Sequence, residues 1–129
     1  MNYTRDLLKW VLGILFAVAG ANHFVHPAFY VSIMPMYLPW HTALVYVSGL
    51  FEVGLGLLLL LRRFERLAAW GMIALIIAVT PANLQMAIHP GLYPDYTSVA
   101  LWTRLPLQGV LIAWAFWFTR PRRKENLNP

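Results

Sequence analysis

A histidine, a glutamate, an arginine and four amides stand inside stretches otherwise made of oil-like side chains. Asn22 and His23 fall in the first apolar stretch, Glu52 in the second, Asn83 and Gln85 in the third, and Arg104 and Gln108 in the fourth. Such groups are expensive at membrane depth and by default mark a ligand or proton site. Arg104 and Gln108 are four residues apart and share a helix face. Counted at about 1.5 Å per residue, Glu52 lies near mid-membrane, whereas Arg104 sits just beneath the boundary residue Trp102. A Glu52–Arg104 pairing, direct or bridged by Gln108, Asn83 or water, is one expectation; a proton on Glu52 is the other. The bland alternative is polar glue that only fixes helix register, worth about 0.6 kcal/mol per bond. His23 and His26 have an i, i+3 spacing that suits two metal ligands. No further ligand set has matching spacing, so neither a metal nor a haem site is expected.

The elements that must position these residues are membrane spans. The chain has 129 residues, 60% of them hydrophobic and 12% charged, against about 45–50% and about 25% in a soluble domain. Apolar stretches cover residues 7–24, 42–61, 67–88 and 99–118, each close to the roughly 20 residues a helix needs to cross the hydrocarbon. Residues 55–61 (LGLLLLL) offer no polar face to water. The expectation is an all-α, single-domain, four-transmembrane-helix bundle. There are no cysteines, which removes disulfides, thiolate metal sites and cysteine nucleophiles.

The net charge of +5 reports topology, not a nucleic-acid partner. Arg5 and Lys9 precede the first span, Arg62, Arg63 and Arg66 fill the link between the second and third, and a polybasic tail (120–129) follows the fourth. The two other connections carry no Lys or Arg. The positive-inside rule puts both termini in the cytoplasm, in a plasma (inner) membrane. Trp40, Trp102, Tyr30, Tyr37, Tyr93 and Tyr96 mark the outer boundary, and Trp10, Trp70, Trp114 and Trp117 the inner one. The small residues near Ala19 resemble a signal-peptide cleavage site, but the first stretch reads as a retained span. The inner half of the bundle is expected to be plain hydrocarbon packing, with one polar pocket opening outward.

Gly13, Ala17 and Ala21 repeat every fourth position and predict a close helix contact; Gly49 and Gly56 lie on one face of the second span with Ser48 and Glu52. Pro81 removes a hydrogen bond to the Ile77 carbonyl and predicts a kink. Residues 26–40, with prolines at 27, 35 and 39, predict a short interfacial half-helix that partly lids the bundle, with Phe29, Ile33 and Tyr37 on one face. Ala21-Asn22 before His26-Pro27 echoes Ala82-Asn83 before His89-Pro90, as in a parallel repeat of two hairpins.

Gly20, His23, Phe24 and Pro27, then Pro35, Leu38 and Pro39, Ser48, Gly49, Glu52 and Gly56, Ala69-Trp70, Pro81-Ala82-Asn83, and Arg104, Pro106 and Gln108 together resemble the DoxX-like small membrane proteins across nearly the whole chain. That resemblance implies a four-helix bundle and, for some members, quinone-linked sulfur oxidation or other redox complexes. It carries over no catalytic residue, and the missing cysteines argue against a thiol role. The leading functional expectation is an outward-facing site for a small amphipathic ligand, a quinone first, built from His23, Glu52, Asn83, Arg104, Gln108 and Asn22. Electrons would come from a membrane or soluble redox partner protein or from a bound cofactor. The alternative is a non-enzymatic accessory or assembly subunit of a larger membrane complex. Transport is weaker, since four spans form a path only as a homo-oligomer.

Overall fold

The computed structural model describes residues 3–94 and 96–121; Arg122, Arg123 and Lys124 of the basic tail lie outside them. Five α-helices follow in order: α1 (Tyr3–Val25), α2 (Pro27–Ser32), α3 (His41–Leu59), α4 (Glu65–Ile88) and α5 (Ser98–Thr119). Short 3-10 turns span Arg62–Phe64 and Pro90–Leu92. No strand occurs among the described residues. The four long helices are each long and apolar enough to cross a membrane, and most of their large apolar side chains face outward, as in a membrane protein. One end of the bundle carries the start of α1, the α3–α4 link and the end of α5. The opposite, lid end carries α2 and the 3-10 turn after α4. Proline at the first helical position starts both of these lid pieces, where its missing N–H costs nothing.

The helices form a ring in which α1 packs on α3, α3 on α4, and α4 on α5. Glycines set the first seam. A Cβ added to Gly13 would lie 2.7 Å from the Gly56 carbonyl oxygen, and one on Gly20 would lie 2.7 Å from both the Gly49 oxygen and the Val53 nitrogen. Backbone touches backbone at two levels, seven residues apart on each helix. Of the expected stripe, Gly13 and Ala17 lie in the seam, the Ala17 nitrogen 2.8 Å from a Cβ added to Gly56, and the third position is corrected: Gly20 is buried in the seam and Ala21 is exposed. A 4+3 step keeps residues on one face over two turns, whereas a second step of four rotates away from it. Helix α4 continues through Pro81 to Ile88.

Two separate hydrophobic clusters hold the ring. The larger one, toward the terminal end, joins Leu12 and Phe16 of α1, Leu59 of α3, Met72 and Ile76 of α4, and Ala115 and Phe118 of α5. The smaller one, at the lid, joins Ile33, Met86, Tyr93 and Leu101, with Phe29, Tyr30 and Ala82 against them. Phe29 and Ile33 therefore seat the lid as expected, but Tyr37 is 76% exposed. Helix α2 ends at Ser32, ahead of Pro35, so the helical face is not propagated that far. Tyr93 is likewise not a boundary residue. It is buried, and its hydroxyl donates to the Ser32 carbonyl at 2.8 Å. Phenylalanine at Tyr93 is expected to lower stability by about 0.6–1.7 kcal/mol, the range of hydrogen bonds between membrane helices. Thermal unfolding in detergent reads this, and an unchanged midpoint would mean that the latch carries no weight.

The internal echo is present in a different register from the expected one. His26 (φ −127°, ψ 59°) and His89 (φ −124°, ψ 58°) share one backbone conformation and each precedes a proline-initiated turn. Their amides donate to Asn22 and Gln85 carbonyls respectively, and each of those residues sends its side-chain amide to the tyrosine eight positions on. Asn22 reaches Tyr30 at 2.7 Å and Gln85 reaches Tyr93 at 3.5 Å. The equivalence is thus Asn22 with Gln85, not Asn22 with Asn83.

The plain inner half is also corrected. Helix α1 begins at Tyr3, so Arg5 and Lys9 are drawn into the bundle, where they and Glu65 are about 5% exposed or less. The Arg5 Nη2 lies 3.4 Å from Glu65 Oε1 and donates to the Arg120 carbonyl at 2.8 Å, while Arg66 Nε donates to the Thr119 carbonyl at 3.0 Å. Cationic groups thereby cap the carbonyl end of α5, where the helix dipole favours them.

Candidate functional site

Between the two hydrophobic clusters lies a cavity of about 360 Å³. Its floor is Phe16, Leu75, Ile76 and Leu111, and its roof is Tyr30, Ile33 and Met34 of the lid segment. His23, Glu52, Asn83, Arg104 and Gln108 all line it. Five of the six positions expected to build the ligand site therefore surround one space, contributed by all four spans. Asn22 does not line it; one residue round the helix from His23, it holds the Tyr30 hydroxyl.

His23 is placed by the glycine seam, since a Cβ on Gly49 would lie 2.7 Å from the His23 Cβ. The ring stacks on Tyr30 with centroids 3.9 Å apart. Its Nδ1 lies 3.1 Å from the Val45 carbonyl oxygen, which can only accept, so Nδ1 carries a hydrogen. Ser48 donates to the same carbonyl at 3.0 Å and sits 3.2 Å from Nδ1. With the Ser48 hydroxyl donating to the Val45 carbonyl and Nδ1 turned to the same oxygen, the ring does not hold Ser48 as its donor. The other nitrogen, Nε2, faces Glu52 Oε2 at 3.1 Å. One proton sits between them, giving either imidazolium with carboxylate or neutral imidazole with carboxylic acid. The pair is neutral overall in both forms, which avoids placing an isolated charge in a low-dielectric interior.

Glu52 is thus partnered directly by His23 and not by Arg104, which corrects the expected direct pairing. Helices α1 and α3 are neighbours in the ring, whereas α3 and α5 stand across its diagonal with the cavity between them. Arg104 instead rests its guanidinium 6.0 Å from the centre of the Phe29 ring. Gln108 Nε2 donates to the Ile76 carbonyl at 3.4 Å, and the Thr80 hydroxyl lies within reach of both that oxygen (3.0 Å) and Gln108 Oε1 (3.2 Å). Among the described residues, neither Arg104 nor Asn83 has a side-chain hydrogen bond or ion pair. Ser48, Tyr30 and Thr80 were not identified as site residues by their type. Ser48 carried a signal in its i−4 spacing from Glu52; Tyr30 and Thr80 carried none. Among the described residues no group of three His, Asp or Glu side chains is arranged to hold a metal ion.

Fold and site together define a four-helix membrane protein with one wall of its cavity internally satisfied and the other left with free donors. The chain belongs to the family described as domain of unknown function DUF8561, whose model matches residues 12–119. Comparison with curated proteins finds no match, and neither does comparison with solved structures.

Proposed function

We propose that this protein binds a small amphipathic molecule with a hydrogen-bond-accepting head, a quinone first among them, in a redox-associated role. It does so in the plasma (inner) membrane, with both termini cytoplasmic and the lid end outside. The carrying observation is the pair of unpartnered donors, Arg104 and Asn83, facing a cavity of about 360 Å³. That volume is within the range of small-molecule sites, about 300–1,000 Å³. Both donors are half-buried, so an acceptor-bearing occupant gains a hydrogen bond to each, worth about 0.5–1.5 kcal/mol net and more at the charged guanidinium.

A quinone meets the remaining requirements. One carbonyl oxygen accepts from Arg104 and Asn83, and the other faces the proton held between His23 and Glu52. Quinol formation there would take two electrons from a redox partner protein and two protons, one from that pair and one from water. The likeness to DoxX-like proteins, some of them tied to quinone-linked oxidation, supports the same reading. The cationic ends, Arg5, Lys9, Arg62, Arg63 and Arg66 against no Lys or Arg in the lid connections, support the topology.

Titration of a decyl-tailed dimethoxy-methyl-benzoquinone into the purified protein in nanodiscs tests the reading. Saturable binding is expected, weakened about 10- to 100-fold by Glu52→Gln, as for loss of a hydrogen bond to a charged group. No saturable binding to the wild type would remove the quinone reading. Equal binding by wild type, Glu52→Gln and Arg104→Gln would show that these residues only hold the bundle together.

A further inference from the structure

Three of the four seams of the helix ring are closed by backbone packing, α1 on α3, α3 on α4 and α4 on α5. The fourth, between α5 and α1, has no comparable contact. Beyond the hydrophobic cluster they share, the side-chain ties between these two helices lie at the ends. At the terminal end Arg5 of α1 donates to the Arg120 carbonyl and lies over the Phe118 ring of α5. At the lid end the contact is indirect, through Phe29, which approaches Tyr96 and Arg104. Between those ties the seam is a gap in the backbone packing.

Leu15 stands in it. Two residues on from Gly13, it is about 200° round the helix from the glycine face, and the core positions Leu12 and Phe16 lie between that face and Leu15. It therefore occupies the flank of α1 turned away from α3, toward α5. It lines the cavity and is at the same time 47% exposed, which a lining residue is only at a rim. The cavity also has a gradient along the bundle axis. His23 and Arg104 lie toward the lid, while Leu15 is eight residues from His23 and Leu111 seven from Arg104, about 10–12 Å nearer the terminal end. The polar end is roofed by the lid, and the apolar end is the part that meets the gap.

We infer that the α1–α5 gap is a lateral portal to the bilayer, and that the ligand is a lipid-dissolved, single-chain amphiphile. Its head sits against Arg104 and the His23–Glu52 pair, and its tail leaves past Leu15 and Leu111 into the membrane. This rests on the binding reading above and adds the route and the requirement for a tail.

The test compares a decyl-tailed benzoquinone with the same headgroup lacking the tail. Leu15→Trp fills the gap and is expected to weaken the tailed probe about tenfold by crowding its tail, with the tailless probe unaffected. Val18→Trp, on the exposed face of α1 outside the cavity, is expected to change neither. Because the chain has no cysteine, Leu15→Cys supplies a single site for a membrane-partitioning maleimide. The tailed probe should protect it and the tailless one should not. Protection by both probes or by neither, or an equal effect of Leu15→Trp on both, overturns the portal. Failure of the wild type to bind either probe instead overturns the binding reading itself.

Discussion

Leucine in place of Gly56 is expected to abolish the stable bundle. A Cβ at this position would lie 2.5 Å from the Gly13 carbonyl oxygen and 2.8 Å from the Ala17 nitrogen. Both are backbone atoms of another helix and cannot move aside as a side-chain tip can, so α1 and α3 must separate. Overpacking a tight contact costs about 1–3 kcal/mol and occasionally more; two backbone clashes place Gly56→Leu at or above the upper end. The expected result is loss of the monodisperse species in detergent, or a large fall in melting temperature. Gly54 is the control: it lies on the same helix with nothing within 4 Å of its added Cβ, and Gly54→Leu should stay within about 0.5 kcal/mol of the wild type. Equal behaviour of the two variants would mean that the seam does not hold the fold.

Glu65→Ala should produce the second large effect. It removes the carboxylate 3.4 Å from Arg5 Nη2, in a pair whose side chains are 6% and 5% exposed. Removing one partner of a buried ion pair typically costs about 3–5 kcal/mol, because the other charge remains buried. Replacing both partners, Arg5→Met with Glu65→Leu, should recover most of this loss. Arg62→Ala is the comparison, since that guanidinium is 68% exposed and 4.0 Å from Asp6 Oδ2, where an ion pair is worth about 0–1 kcal/mol. Thermal unfolding of the four proteins separates these outcomes. A Glu65→Ala midpoint no lower than that of Arg62→Ala would show that the terminal-end cluster is not a buried lock.

The candidate site was readable as a set of residues but not as a set of partners. Charged and amide groups stand out in apolar spans because burying them is costly, and that cost is why His23, Glu52, Asn83, Arg104 and Gln108 were recognisable one by one. Which of them meet depends on helix adjacency. The Gly20–Gly49 contact brings α1 against α3 and puts His23 beside Ser48 and Glu52, while Arg104 faces the same cavity from across the ring. The register of the internal repeat was missed for a similar reason: spelling favoured Ala-Asn with Ala-Asn, whereas the hydrogen bonds equate Asn22 with Gln85.

Composition and apolar stretch length determined four spans and an all-α bundle, because a hydrocarbon slab admits few other backbones. The placing of prolines determined the short lid helix. The tertiary structure alone decided that Arg5, Lys9 and Glu65 are buried groups, that Tyr93 latches the lid, and that the α1–α5 seam lacks the backbone packing of the other three. Residue type sets what a side chain costs in lipid; only the packing of neighbouring helices sets which group is near enough to offset that cost.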